Sequence, residues 1–334
     1  AETVRKSLNV AGSELMALRA APLAQEYTGP VLFEARAAAP LLAQVFGPAM
    51  NGSRPPVSFT PVVEQLLSGL GGKSDWVGKL GTRVLPVSVT LVDDPQAKDF
   101  NGAPLIGGFS MDDEGVPAQK VTLVEKGILK DLLMSRRPGP DSGRSNGHGR
   151  SAFLTDAKPA MSNLIFTSSE TLSPAELKAK FLDKCREEGL SYCLIVKVMD
   201  NPSLSLLHQE EFSELLASFG GGAGTGDRLP LIIYKINPKD GQEEMIRGSR
   251  IIGLNTRALR NLAGIGNDNF VYNYMQSQIT GFAGTALGAF GSAQNGLPSS
   301  MVAPSLFFDE LEVRGARGEP KRLPLLPAPP MTAK

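Results

Sequence analysis

The chain has 334 residues, of which 42% are hydrophobic and 20% charged, enough for a substantial buried core in one large domain or two ordinary ones. Lys+Arg and Asp+Glu balance at 34 each, which excludes an overall basic field for non-specific nucleic-acid binding, so direct nucleic-acid binding is not expected. No apolar run approaches the ~20 residues that span a bilayer, so no membrane role is expected either.

The elements follow in chain order. Residues 3–19 read as an amphipathic lead-in helix, with Val4, Leu8, Leu15 and Leu18 on related faces and Gly12 weakening the middle. Pro30–Glu34 reads as a short strand. A mostly apolar helix follows from about Ala37, with Pro40 in its first turn and Gly47-Pro48 stopping it. Its composition predicts burial. A further helix is expected near Pro61–Leu70. The chain then turns to β: "RVLPVSVTLVDDP" alternates up to an Asp-Asp-Pro turn, and "QKVTLVEKGILKDLLMS" predicts a hairpin about Lys126-Gly127.

"SPAELKAKFLDKCREEGL" carries a full set of helix signals. Ser173 caps, Pro174 suits the first turn, Glu176 completes a capping box, and Gly189 ends the helix. Leu177, Phe181, Leu182 and Cys185 share its buried face. "SYCLIVKVM" reads as a buried strand, and Asp240-Gly241 as the turn of another hairpin. Between them, "SFGGGAGTGDR" reads as a flexible connector: it lacks Gly-Lys-Ser/Thr and precedes a strand, which a phosphate cradle would not. The end, "KRLPLLPAPPMTAK", is Pro-rich and extended. Hairpins with a few long helices predict an α+β fold, mainly antiparallel sheet with a few packed helices.

Chemistry is sparse. The two cysteines, Cys185 and Cys193, are too few for a disulfide framework or zinc knuckle and read as buried free thiols. His148 and His208 are the only histidines and share no local metal motif, and no Gly-x-Ser-x-Gly elbow is present. Asp93-Asp94 and Asp112-Asp113-Glu114 abut Pro or Gly and read as turns before cation ligands. One segment stands apart. "SRRPGPDSGRSNGHGR" (135–150) gathers four arginines, four glycines, Asn146 and His148. It can serve as a peptide-binding loop or as a structural clamp in which Arg150 pairs with Asp112, Asp113 or Glu114.

"YTGPVLFEARAAAPLLAQVF", "LVDDP", "DDEGVPAQKVTLVEKGILKDLLMSR", "SNGHGR", "VAPSLFFDELEV" and "PLLPAPP", in this order over residues 27–330, resemble the TldD/PmbA family of zinc-dependent peptidases and modulators of DNA gyrase. The resemblance is to the C-terminal part of the family chain. It implies one domain over 26–330, a tail at 331–334, and residues 1–25 as the end of an N-terminal domain that the sequence mostly lacks. Active members carry His-Glu-x-x-x-His on the helix after the first strand. Alignment on the leucines of "LLAQVFGP" puts Ala43, Gln44 and Pro48 at those positions and Leu287 near a further Cys ligand.

The resemblance therefore implies a metal-free, PmbA-like subunit without independent activity and without a cofactor, zinc residing in a TldD-like partner. Its expected partners are that metallopeptidase subunit as a heterodimer, or a second copy as a homodimer, with unfolded peptide as substrate. Arg136, Ser145, Asn146, His148, Arg150, Asp113 and Glu114 are the peptide-binding candidates. An active peptidase using a non-standard site, or a binding protein acting on a target such as gyrase, are the alternatives. The expected location is cytoplasmic, with an exported form open because the true N-terminus is not visible.

Overall fold

The computed structural model of the protein describes residues 2–53, 74–137, 139, 144–152, 156–200, 230–276 and 296–315. The sequence-predicted helix near Pro61–Leu70, the Gly-rich connector, Leu287 and the Pro-rich tail lie outside these residues.

Helix α1 (Glu2–Ala20) leads into strand β1 (Tyr27–Phe33) and helix α2 (Ala35–Ala49). Next come β2 (Val89–Asp93), the short pair β3 (Asp99–Phe100) and β4 (Ala103–Pro104), and the hairpin of β5 (Val121–Glu125) and β6 (Ile128–Leu129). The short pair β7 (Gly149–Arg150) and β8 (Lys158–Pro159) precedes β9 (Asn163–Ser168), α3 (Pro174–Glu187) and β10 (Cys193–Met199). The chain continues through β11 (Pro230–Ile236), β12 (Glu243–Ile246), β13 (Ser249–Ile252) and β14 (Leu262–Ile265). It closes with β15 (Phe270–Gln276), β16 (Leu297–Ala303) and β17 (Leu306–Gly315).

These strands form two main sheets. One runs β12-β11-β10-β1-β17-β13, with β14 also on β17, and the other runs β15-β16-β9-β2-β5-β6. Among the described strands, only the β1–β10 and β9–β16 pairings are parallel. The fold is therefore α+β with mainly antiparallel sheet, as the hairpin signals predict. The Lys126-Gly127 turn has positive φ at both residues (48° and 76°), the conformation that matches a tight hairpin to strand twist.

Alternation along the central strands builds two cores. Val31 and Phe33 of β1, Leu194 and Val196 of β10, and Leu306 and Phe308 of β17 join a large cluster with the apolar residues of α2. The opposite faces, Leu32, Cys193, Ile195 and Phe307, meet Leu177, Phe181 and Cys185 of α3. Helix α2 packs against β10 and β1 of one sheet and β15 and β16 of the other, which makes it the filling of the interior. Helix α3 begins as its sequence signals predict. Ser173 Oγ accepts from Glu176 N at 3.3 Å, and Glu176 Oε2 accepts from Ser173 N at 2.9 Å.

Three expectations change. Helix α2 starts at Ala35, so Pro40 lies beyond its first turn, and the helix runs past Gly47-Pro48 to Ala49, where Met50 N donates to Phe46 O at 3.0 Å. Burial on both sides holds the helix through prolines that would end an exposed one. Strand β1 starts at Tyr27, three residues early, because pairing with β17 already begins there. Cys185 and Cys193 are a disulfide rather than free thiols, with Cα atoms 6.3 Å apart. The last turn of α3 doubles back through Gly189 onto the start of β10, which places two core-facing cysteines opposite each other.

Candidate functional site

The 144–151 segment is bound to an acidic turn by backbone groups. Asp112 Oδ1 accepts from Glu114 N (3.0 Å) and Val116 N (2.8 Å), and its Oδ2 accepts from Gly149 N at 2.9 Å. Asp113 Oδ2 accepts from Ser151 N at 2.7 Å, and Glu114 Oε2 from Arg136 N at 2.5 Å. Each carboxylate thus terminates backbone N–H groups that the turn leaves unpaired, the role the turn reading predicts. Asn146 uses both ends of its amide: Oδ1 accepts from Met134 N and Nδ2 donates to Leu132 O, each at 2.8 Å. Ser145 Oγ donates to Met134 O and accepts from Gly147 N. Gly147 has φ 75°, and a Cβ there would collide with the Pro117 carbonyl, so the turn requires glycine.

His148 points inward. Its side chain is 0% exposed, with Nε2 3.1 Å from Asp93 Oδ1 and Nδ1 3.1 Å from Asn146 O. Asp93, also 0% exposed, accepts from Ser162 N at 3.0 Å through Oδ2, and Ser162 Oγ bonds to its Oδ1. Phe109 meets the imidazole edge-on at 6.1 Å, and the Arg150 guanidinium lies 4.2 Å above the centre of the same ring. Arg150 is 8% exposed, and burial pulls its pKa below the usual guanidinium range, against the opposing pull of Asp113, Asp93 and Asp112.

Ser, Asp and His together do not make a nucleophile here. Acyl transfer needs the imidazole between serine and carboxylate so that it can take the serine proton. In this cluster the carboxylate is in the middle, and Ser162 and His148 both bond to it. Nε2 faces the Asp93 carboxylate and not the serine hydroxyl, so the imidazole is not placed to take the serine proton. The cluster is a buried polar clamp joining the end of β2, the start of β9 and the 146–150 loop.

His148, one of the peptide-binding candidates, thus faces the interior of the protein in this structure. Asn146 bonds to the 132–134 backbone through its amide, and the Arg150 guanidinium stacks on Phe109. Arg136 and Asp113 are exposed, and Glu114 and Ser145 half-buried, at the rim of the same turn.

Helix α2 carries the other set of positions. Ala43 is 6% exposed and sits among Leu42, Val45 and Phe46 in the main core. Gln44 Nε2 donates to Asp200 O at 3.2 Å across to the end of β10. Pro48 is exposed in the last turn. Neither Ala43 nor Pro48 has a side-chain donor atom, and a neutral amide is a poor general base, so these residues do not fit a zinc ion and its water-activating carboxylate. Among the described residues, no group of three or more His, Cys, Asp or Glu side chains is placed to hold a metal. No described helix is long and apolar enough to cross a membrane.

Sequence reasoning took Asp93 for a turn residue and passed over Ser162 and Phe109. Asp93 and Asp94 look alike in "LVDDP", yet only Asp94 makes the turn, its Oδ1 accepting from Gln96 N at 3.0 Å. The missed signal was the strand period: in β2, Val89, Leu91 and Asp93 are the buried positions.

Residues 25–184 match the PmbA/TldA metallopeptidase C-terminal domain. A metalloprotease of Archaeoglobus fulgidus is 36% identical over 118 residues, 35% of this chain and 25% of that protein. A metalloprotease TldD homolog of Buchnera aphidicola is 31% identical over 102 residues, 30% of this chain and 20% of that protein. Among solved structures, a protein titled a modulator of a DNA gyrase from Thermotoga maritima aligns with TM-score 0.54 at 18% identity, covering 90% of this chain and 53% of that one. TldE from Thermococcus kodakarensis aligns with TM-score 0.53 at 16% identity, over 87% of this chain and 51% of that one. The chain thus spans about half the length of these structural neighbours, and its matched stretch a quarter or less of the curated relatives. Residues 25–184 are thus similar to the C-terminal domain of the TldD/PmbA family, and the chain shares the fold of these solved structures.

Proposed function

We propose that this chain is the metal-free, non-catalytic subunit of a TldD/PmbA-type peptidase, and that it partners a TldD-like zinc-bearing subunit in degrading unfolded peptides. The observation that carries the reading is helix α2. At the three positions where the family resemblance locates the metal and its base, this helix has a packed methyl group, an amide bonded to Asp200 and a proline. Such a helix stabilises an interior and supplies no Lewis acid.

In this reading the protein contributes binding surface and a rigid wall. The polar rim of Arg136, Asp113, Glu114 and Ser145 is the candidate peptide contact, held in place from below by the Asp93–His148 clamp. Assembly has a basis in α1, whose Val4, Leu8, Leu15 and Met16 are all more than 60% exposed, an apolar surface that a partner would cover.

Co-expression with a TldD-like protein tests the proposal. The expected result is a stable complex that cleaves an unfolded protein substrate while this chain alone does not. Cleavage by this chain alone, abolished by a chelator, would contradict it.

A further inference from the structure

On the far side of Trp76 from α2, a cavity of about 490 Å³ opens between the 79–84 turn and the 256–261 segment. Its lining includes Lys79, Arg83, Arg257 and Arg260, and no acidic side chain among the described residues. None of the four cations is in an ion pair with a described residue. A carboxylate beside the lining, Asp75, accepts from Thr256 Oγ1 at 3.1 Å and brings one negative charge against four positive. The chain as a whole has zero formal net charge, so this concentration is a local feature.

Four like charges around one concavity repel; Arg83, Arg257 and Arg260 are exposed and Lys79 half-buried, so solvent screens part of that repulsion. Asp75 offsets one charge, and a multivalent anion inside would offset the remainder. Three of the four cations are guanidiniums, whose planar donor pairs match phosphoryl oxygens in two-point contact. The cavity volume falls within the range of small-ligand sites. Carboxylates strung along a peptide are too widely spaced to neutralise four cations in so small a space; two linked phosphoryl groups concentrate the charge.

We propose that this basic cavity is a binding site for a small anion carrying two or more phosphoryl groups. It is separate from the 135–150 loop and independent of the peptidase reading.

Trp76 is the sole tryptophan of the chain and is part of the cavity wall, so its fluorescence reports on occupancy. Purified full-length protein is titrated with pyrophosphate, ATP, inorganic phosphate and a hexaglutamate peptide, with calorimetry in parallel. The expected result is saturable binding of pyrophosphate at least about tenfold tighter than of inorganic phosphate, weakened by added salt. ATP binding as tightly as pyrophosphate supports recognition of the phosphoryl groups alone. The double variant Arg257→Ala/Arg260→Ala is expected to weaken pyrophosphate at least about tenfold with an unchanged melting temperature. No saturable pyrophosphate signal, an unchanged affinity in the double variant, or tighter binding of hexaglutamate than of pyrophosphate would each overturn the proposal.

Discussion

Asp93 and His148 are joined through a 3.1 Å contact between Oδ1 and Nε2, with both side chains sealed from solvent. The pair ties the last residue of β2 to the loop that carries the candidate rim, so the rim's position depends on a bond made below it.

Removing one partner leaves the other polar and buried. Asp93→Ala and His148→Ala are each expected to destabilise the protein by about 1–3 kcal/mol in urea unfolding, the range for leaving a buried polar partner unsatisfied. Arg136→Ala, on the exposed rim, should stay within about 0.5 kcal/mol of the wild type. Losses near zero for both buried variants would remove the clamp from the account.

Arg150 is expected to behave as part of the clamp. Its guanidinium over Phe109 is 8% exposed, so Arg150→Ala should cost about 1–3 kcal/mol through lost packing and ring contact. Peptide binding per folded molecule should be unchanged. A variant with wild-type melting temperature and weakened binding would instead put Arg150 in direct contact with substrate.

In α2, Ala43→Asp would place a carboxylate in the main core, and a loss of several kcal/mol is expected in thermal or urea unfolding. The double substitution Ala43→His/Pro48→His should not create a peptidase, because Gln44 supplies no general base. Chelator-sensitive hydrolysis by that variant would refute the argument.

Cys185 and Cys193 give a chemical test. Protein denatured without reductant should yield no titratable thiol, and in the native state the bond should resist mild reductant because both residues are 0% exposed. Cys185→Ser/Cys193→Ser is expected to lower stability by about 2–3 kcal/mol, as for a short closed loop. Two reactive thiols in the unreduced denatured chain would contradict the pairing.

Much of the fold was legible. The Ser173/Glu176 capping box, the Lys126-Gly127 turn and the apolar run of α2 are local signals, and local signals set local structure. What stayed hidden was non-local. Gly47-Pro48 is a stop signal that two packed sheets override, and the disulfide depends on how α3 folds back on β10. At the site, the loop's composition suggested a surface facing substrate. His148 and Arg150 turn inward because Asp93, fifty-five positions before His148, waits at the end of a strand.

The most direct test is the metal content of the purified full-length protein, alone and in complex with a TldD-like subunit. The account predicts far less than one zinc per chain in the isolated protein and close to one per heterodimer in the complex. One tightly bound zinc per isolated chain, lost together with peptide hydrolysis on chelation, would contradict it.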